Sequence, residues 1–160
     1  MLYLKLFILY SIIGFTFESF IFKINNINKH SGVLHGPYTL VYGLGGTICT
    51  LINNYLNTHN YLLLYLLFTI TCTLIEFAIG HLIKLIYHID SWDYSYKKYH
   101  LGKYICLNYA LIWGLMAFTF TNILHNYFNY ILVPIKDKFV IGFTIIILID
   151  IFLTFIQNKK

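Results

Sequence analysis

The sequence predicts an all-α protein: a polytopic integral membrane bundle of about five transmembrane helices, forming a single transmembrane domain over residues 1–160. Three observations lead to this prediction. Of the 160 residues, 59% are hydrophobic and only 11% are charged, and the mean hydropathy is +0.70. An average soluble domain has roughly 25% charged residues, so this chain is too apolar to cover a soluble core. The apolar residues also fall into stretches of about 20 or more, the length that a helix needs to cross the hydrocarbon layer.

Five apolar stretches follow one another along the chain, separated by short polar segments. The first is too long and too aromatic for a signal peptide, and no small-residue cleavage site follows it. The second begins near Gly36 and Pro37, where proline is favourable because its missing N–H would be unpaired at a helix start. It also contains Gly43, Gly45 and Gly46, so a broken or re-entrant helix is the alternative to a full span. The predicted spans are residues 2–22, 36–56, 61–87, 104–125 and 139–156.

The lysine positions predict the orientation of the bundle in the cell membrane. The chain has eleven basic residues, all of them lysine, and the segment between the second and third spans has none. Basic residues favour the cytoplasmic side of a membrane protein. We therefore expect the N-terminus outside and the C-terminus in the cytoplasm. The lysines on the cytoplasmic side are then Lys23, Lys29, Lys97, Lys98, Lys103, Lys159 and Lys160, with Lys84 nearby.

Several functional classes lack their usual sequence signals. The formal charge of +5 comes from lysines beside apolar spans, and the arginines that favour bidentate reading of phosphates and bases are missing. Cys49, Cys72 and Cys106 are expected to be small buried hydrophobic residues. No histidine pattern with convincing ligand geometry is present, and there is no motif for hydrolysing ATP. We therefore expect no nucleic-acid partner, no metal and no bound cofactor.

Two carboxylates inside the predicted spans are the sharpest candidates for a functional site. Glu18 lies about one turn before the end of the first span, and Glu76 lies in the second half of the third. An ionised carboxylate in hydrocarbon costs several kcal/mol, so such a group is protonated, paired or facing a wet cavity. The functional interpretation is a polar cavity that binds a cation, a proton or a polar head group. The alternative is a pair of protonated carboxyls that join helices by hydrogen bonds.

Further polar residues fall on the same side of the membrane, because the ends of odd spans and the starts of even spans meet there. The stripe from Glu76 to Lys84 recurs every four residues on one face of the third span. The loop from Trp92 to Ser95 is either an interfacial anchor or a lid over the cavity. Asp150, inside the fifth span, pairs with a neighbouring helix or lies in a wet last turn. The predicted substrate-binding residues are Glu18, His35, Gly36, Pro37, Glu76, Gly80, Lys84, Trp92, Asp93 and Tyr94, and no catalytic residue is predicted.

Four blocks of residues occur in an order and spacing similar to one family. They are Gly14 with Glu18; residues 32–37 continuing to Tyr42, Gly43 and Gly45; Glu76 and Gly80 with residues 92–95; and residues 105–107 with Trp113 and Gly114. On these blocks the chain resembles the bacterial membrane family described as putative ABC-transporter type IV (CmpB-like). The resemblance implies a permease whose ATPase is a separate subunit. It also implies a second acid at position 84 and arginines at positions 31 and 104, where this chain has Lys84, Ser31 and Tyr104.

We therefore expect a multi-pass permease-like subunit with a polar cavity near the cytoplasmic side and the loop from Trp92 to Ser95 over its mouth. One alternative is an intramembrane enzyme acting on lipid head groups, with Glu76 or Asp93 as acid or base. Another is a non-catalytic scaffold or regulator of a membrane complex. Five spans are few for a solitary transporter, so we expect the protein to assemble in the bilayer with an ATPase subunit or as a homo-oligomer.

Overall fold

The computed structural model describes residues 1–26 and 31–158, and these form an almost entirely helical bundle. This confirms the all-α prediction. The elements in chain order are α1 Leu2–Ile24, α2 Leu40–Leu56, α3 Tyr61–Tyr87, β1 His100–Leu101, β2 Ile105–Cys106, α4 Leu107–Phe118, a π-helical turn Thr119–Ile123, α5 His125–Leu132 and α6 Asp137–Asn158.

Three helices of the described chain, α1, α3 and α6, are long and apolar enough to cross a membrane. A fourth crossing is obtained if α4, the π turn and α5 are taken as one bent span. The outward faces of the three long helices expose leucine, isoleucine and phenylalanine side chains, as expected for a surface solvated by lipid. The ends of α3 are locally encoded, because Asn60 caps its first turn by accepting from Leu63 N at 3.1 Å. At its other end His88 adopts a left-handed conformation with φ +60°.

The second predicted span is shorter than expected. The helix α2 begins at Leu40 rather than near Gly36, because residues 31–39 form an irregular segment held by tertiary hydrogen bonds. One of these runs from Thr39 N to Ser11 O at 3.0 Å. Once begun, α2 is continuous through its three glycines, so the described helix is short but unbroken.

The fourth predicted span also differs from expectation. The helix α4 begins at Leu107, passes into the π turn after Phe118, and then bends by 64° into α5. A π turn inserts one extra residue into the helical ladder and changes its direction without a proline. The amphipathic α5 then packs Phe128 and Leu132 against Leu6 and Tyr10 of α1.

Glycines allow α1 and α2 to approach closely. A Cβ atom at Gly43 would lie 2.1 Å from Ser11 Oγ and 2.7 Å from Phe7 O. A Cβ at Gly14 would lie 2.1 Å from Cγ of Tyr42. Small residues at such crossings let helix backbones pack tightly in lipid, where burial of apolar surface does not drive association.

The contacts between α1 and α2 give their relative direction. Tyr10 Oη lies 3.2 Å from Thr50 Oγ1, and Asn54 Nδ2 donates to Tyr3 Oη at 3.4 Å. Earlier residues of α1 thus contact later residues of α2, so the two helices are antiparallel.

The remaining long helices follow the same alternation. The ring of Tyr61, at the start of α3, packs on Phe118 at the end of α4, so these helices are antiparallel. The start of α6 lies beside the start of α1, because Asp137 Oδ1 is 3.1 Å from Lys5 Nζ. The C-terminal ends of α1, α3 and α6 therefore share one end of the bundle with the N-terminal ends of α2 and α4. We call it the lysine-rich end, after Lys23, Lys84, Lys97, Lys98 and Lys103.

Candidate functional site

A cavity of about 90 Å³ lies between α1, α2, α3 and α4, toward the lysine-rich end. Seven aromatic rings and two carboxylates form much of its wall, and none of the described residues that line it is lysine or histidine. The lining residues are Tyr10, Glu18, Phe22, Gly32, Thr39, Val41, Tyr42, Gly45, Gly46, Cys72, Glu76, Ser91, Trp92, Tyr94, Trp113, Met116, Ala117 and Phe120.

Glu76 is the most deeply buried acid of this cavity, with 6% of its surface exposed. Its Oε1 atom accepts a hydrogen bond from Tyr94 Oη at 2.8 Å. Its Oε2 atom is buried and has no hydrogen-bond partner among the residues that the structure describes, although the Trp113 indole lies near the carboxyl. A buried polar atom without a partner costs about 1–3 kcal/mol. Glu76 lines the cavity, and its unpartnered oxygen has the capacity to accept one further donor.

Glu18 lies on the wall of the same cavity, on α1. Ser31 Oγ donates to Glu18 Oε2 at 2.6 Å, and the same hydroxyl lies 3.1 Å from Thr39 Oγ1. A serine therefore contacts Glu18 at the position where the family resemblance implies an arginine. The fold thus brings the two intramembrane acids, which lie 58 positions apart in the chain, to one cavity.

The loop that follows α3 contributes Trp92 and Tyr94 to the cavity wall. Tyr94 is held from two directions: its N–H donates to Lys103 O at 2.8 Å, and its ring stacks on Tyr109 with a centroid distance of 4.8 Å. Burial beside Glu76 raises the pKa of the Tyr94 phenol, so this hydroxyl stays a donor. The loop is thereby connected to Glu76 through one phenol.

Gly80 does not line the cavity. A Cβ atom there would lie 2.9 Å from Cγ of Tyr104 and 3.3 Å from Cζ2 of Trp92. The glycine leaves room for these two rings of the loop rather than for a ligand. Gly80 thus has a packing role one turn from Glu76, and its role in substrate binding stays a prediction.

Lys84 lies outside the cavity, at the surface of the lysine-rich end. Its Nζ donates to Asp90 Oδ2 at 3.1 Å. Lys103 Nζ donates to the same oxygen at 2.9 Å, and Tyr104 Oη donates to Asp90 Oδ1 at 2.8 Å. The hydrogen bonds from Lys103, Tyr104 and Lys84 hold the pKa of Asp90 well below its usual range. Lys84 is therefore paired with Asp90 of the same chain, and this ion pair holds the loop to the end of α3.

Asp93 is exposed and acts within its own turn. Its Oδ1 atom accepts from Ser95 N at 2.8 Å and from Ser95 Oγ, and these bonds lower the pKa of Asp93. Asp93 therefore caps a turn, as aspartate often does through hydrogen bonds to the backbone two residues on. Of the predicted loop residues, Trp92 and Tyr94 face the cavity and Asp93 faces outward.

A short β-hairpin that the sequence analysis did not predict completes this loop. β1 and β2 pair antiparallel, with His100 opposite Cys106 and Leu101 opposite Ile105. Gly102 adopts φ +64° at the turn, a conformation that glycine adopts without strain. Strands of two residues carry too little alternation to be recognised, and Gly102 in a polar segment is the one available signal.

His35 and Gly36 are bound to α6 instead of the cavity. Asp150 Oδ1 lies 2.8 Å from His35 Nδ1, and Asp150 Oδ2 accepts from Gly36 N at 2.9 Å and from Tyr38 Oη at 2.6 Å. The hydrogen bond to Asp150 raises the pKa of His35. Pro37, between Gly36 and Tyr38 in the chain, is exposed. Asp150 is therefore paired, and it attaches the irregular segment before α2 to the last helix.

The cysteines and histidines form no metal site in the described ranges. Cys49 and Cys106 are buried and Cys72 is half-buried, and all three are free thiols. The Sγ atoms of Cys49 and Cys72 lie 3.7 Å apart. No group of three or more histidine, cysteine, aspartate or glutamate side chains is placed to hold a metal ion within residues 1–26 and 31–158.

Comparison with known families agrees with the family resemblance of the four sequence blocks. The profile of the family described as Putative ABC-transporter type IV matches residues 5–157, which include nearly all of α1 and α6 and everything between them. Neither the curated proteins nor the solved structures gave a match. The apolar helices and this match together identify a membrane protein similar to transporters. Because the match covers almost the whole chain, the protein belongs to the putative ABC-transporter type IV family.

Proposed function

We propose that this protein is a permease-like subunit of an ABC-type transporter and that the cavity between Glu18 and Glu76 is its substrate site. The observation that supports this most directly is Glu76: it is buried among helices and lines the cavity, and one of its carboxyl oxygens is without a partner in the described chain. Intramembrane acids that face a cavity mark substrate or ion pathways more often than they serve packing. The family match supplies the transporter context.

We further propose five crossings, formed by α1, α2, α3, α4 with its π turn, and α6. The alternating directions of these helices support this topology, because each helix carries the chain to the opposite end of the bundle. Lysines collect at one end, and the positive-inside preference then places that end in the cytoplasm with the N-terminus outside. The cavity opens toward this cytoplasmic end of the cell membrane.

The loop from Trp92 to Tyr94 serves as the gate in this proposal. Tyr94 Oη donates to Glu76, so a ligand that binds the carboxyl competes with the loop for it. The ion pairs of Asp90 with Lys84 and Lys103 limit how far the loop moves, since they attach it to α3 and to the β-hairpin. Substrate binding and loop opening are thereby coupled through one hydrogen bond.

The transporter proposal requires an ATPase, because the chain contains no ATP-hydrolysing motif. The test is purification of the tagged full chain from its native membrane in mild detergent, with mass-spectrometric identification of stoichiometric partners. The expected result is a nucleotide-binding ATPase subunit. The complex reconstituted in vesicles should hydrolyse ATP in response to substrate. Glu76→Gln should abolish the response of ATP hydrolysis to substrate, and Asp137→Asn should leave that response unchanged.

Asp137→Asn is the matched control because it makes the same acid-to-amide change in an exposed residue at the far end of α6. Recovery of copies of this chain alone, without an ATPase in several detergents, would contradict the transporter proposal. Retained ATPase binding with an unaltered response in Glu76→Gln would contradict the cavity as the substrate site.

A further inference from the structure

We propose that α5 lies in the head-group layer of the membrane, at the end of the bundle opposite the lysine-rich end, with Tyr127 and Tyr130 as its contacts to lipid. Three properties of the described chain lead to this inference, which goes beyond the transport proposal. They are the inclination and depth of α5, the side chains that it exposes, and the uncharged segment in which it occurs.

The inclination of α5 directs the chain away from the crossing. α4 and the π turn run through the bundle, and α5 is bent from them by 64°. A helix of eight residues is about 12 Å long, so at this angle α5 advances only about 5 Å along the axis of α4. A helix inclined in this way runs along the membrane surface more than across it.

The depth of α5 follows from its contacts with α1 and α6. Beyond its C-terminal end, Lys5 Nζ donates to Ile135 O at 2.6 Å and lies 3.1 Å from Asp137 Oδ1. Such an ion pair belongs at the polar boundary of the bilayer. Phe128 packs edge-to-face on Tyr10, with a centroid distance of 5.7 Å. Tyr10 follows Lys5 by about 7.5 Å along α1, which is within the depth of about 5–10 Å that interfacial helices reach.

The side chains of α5 divide between the bundle and its surroundings. Phe128 and Leu132 are buried and pack on α1. Tyr127 and Tyr130, which are neighbours on one face of the helix, are 61% and 79% exposed, and Asn126 is exposed as well. Tyrosine is enriched at membrane interfaces because its ring enters the apolar layer while its hydroxyl stays hydrated. The exposed surface of α5 thus suits the head-group layer.

The segment that contains α5 is long and uncharged. Residues 104–135 include no lysine, arginine, aspartate or glutamate, whereas the loop at the lysine-rich end, residues 88–103, has five such residues. A straight helix over the uncharged segment would be about 48 Å long, well beyond the hydrocarbon thickness of about 30 Å. The segment is therefore long enough to cross the hydrocarbon layer and to continue along its boundary.

Lipid fits the exposed face of α5 better than a second copy of the chain does. A stable protein interface buries about 800 Å² on each partner, whereas α5 has only eight residues and one of its faces is already packed on α1. Tyr3 and Phe139, which precede and follow the ion pair of Lys5 with Asp137, are also exposed. The exposed tyrosines of α5 therefore continue an aromatic surface at the starts of α1 and α6.

Tyr10 connects α5 to the cavity. Its ring stacks on Phe120 with a centroid distance of 5.7 Å, and it packs on Phe128 of α5. Tyr10 and Phe120 both line the cavity. The position that the head-group layer gives to α5 is thereby transmitted, through rings in direct contact, to two residues of the cavity wall.

A nitroxide spin label on Tyr130→Cys tests the depth of α5 in the full chain reconstituted in phosphatidylcholine vesicles. Power saturation compares the access of oxygen, which concentrates in hydrocarbon, with the access of a water-soluble nickel chelate. His59→Cys, exposed in the connection after α2, is the aqueous reference. Ile146→Cys, 55% exposed in the middle of α6, is the deep reference. Wild-type protein taken through the same labelling gives the background of the native thiols.

The ratio of oxygen access to nickel access at Tyr130→Cys should lie between the two references. It should exceed the ratio at His59→Cys at least about threefold and stay below the ratio at Ile146→Cys, as a site at the head-group boundary requires. Tyr127→Cys is the second site, because it lies on the same exposed face, and its ratio should fall in the same interval.

A ratio at both tyrosine sites equal to that of His59→Cys would overturn the inference, because α5 would then lie in water. A ratio equal to that of Ile146→Cys would overturn it as well, because α5 would then continue the crossing. Low access of both reagents would also contradict it, because protein rather than lipid would then cover α5.

Discussion

Glu76 accepts a hydrogen bond from a separate segment of the chain. Tyr94 Oη is the donor, and its removal leaves the Oε1 atom of Glu76 without this bond. Tyr94→Phe keeps the ring stacked on Tyr109 but should lower the free energy of unfolding by about 1–3 kcal/mol. Thermal unfolding in detergent measures this. The matched control is Tyr96→Phe, since the Tyr96 side chain is 75% exposed, and an equal loss in both variants would contradict the role of the bond.

Gly43 is required by the close approach of α1 and α2. A Cβ atom there would lie 2.7 Å from the backbone oxygen of Phe7, which has no freedom to rotate away. Gly43→Ala should therefore destabilise the bundle by about 1–3 kcal/mol through overpacking. Gly142→Ala is the control, because a Cβ there meets nothing within 4 Å and alanine is the better helix former. Equal melting temperatures for the two variants would contradict this reading of the interface.

The candidate site was predictable from the sequence at the residues whose chemistry is costly in a membrane. Glu18 and Glu76 could be recognised as candidates because an ionisable carboxyl within an apolar span is costly and therefore rare. Tyr42 and Trp113 were missed as cavity residues, because an aromatic side chain in an apolar stretch looks the same whether it faces lipid, core or cavity. The bonding of His35 to Asp150 was also missed, since the two residues lie 115 positions apart and no local pattern links them.

At the scale of elements, the three long apolar helices were predictable and their interruptions were not. The observed α3 has the predicted bounds because a run of apolar residues between Asn60 and His88 is unambiguous. The π turn after Phe118 has no proline or glycine to signal it, so the sequence suggested one straight span from 104 to 125. The late start of α2 follows from tertiary bonds to residues 31–39, which outweigh the local helix signals.

The stability that the loop after α3 contributes to the fold should fall in strong acid, because Asp90 becomes protonated. Its hydrogen bonds lower its pKa below the ordinary value of 3.8, so they stabilise the fold above that pH and are lost as pH falls through the lowered pKa. Asp90→Asn should therefore melt below the wild type at neutral pH, and the two should converge in strong acid. Lys98→Gln is the control, since Lys98 forms no ion pair with Asp90. A difference that persists in strong acid would contradict the prediction.

The stability contributed by the attachment of residues 31–39 to α6 should instead fall as pH rises, because His35 loses its proton. The hydrogen bond to Asp150 raises the pKa of His35 above the ordinary value of 6.5. The stabilisation is then fully present below that pH and is lost as pH rises through the folded pKa. The melting temperature of the wild type should exceed that of His35→Gln in mild acid and approach it in mild alkali. His59→Gln, an exposed histidine at the other end, should show no such trend.

At the scale of the whole molecule, the proposed topology places the connection after α2 and the loop after α3 on opposite sides of the membrane. His59→Cys and Lys98→Cys put exposed thiols in these two segments, while the native Cys49 and Cys106 are buried. A membrane-impermeant maleimide should label His59→Cys in intact cells and Lys98→Cys only after permeabilisation. Wild-type protein gives the background. Labelling of both from one side would contradict a crossing by α3.

Two of the helices proposed to cross the membrane are short, and this has a consequence for the surrounding lipid. The helix α2 and the straight part of α4 with its π turn are each about 25 Å long, whereas the hydrocarbon layer is about 30 Å thick. In the proposed five-crossing topology, lipids beside these helices compress or draw their head groups inward, at a cost of fractions of a kcal/mol per Å of mismatch. The proposal therefore makes the acyl-chain length of the host bilayer a variable that acts on the two helices beside the buried acids.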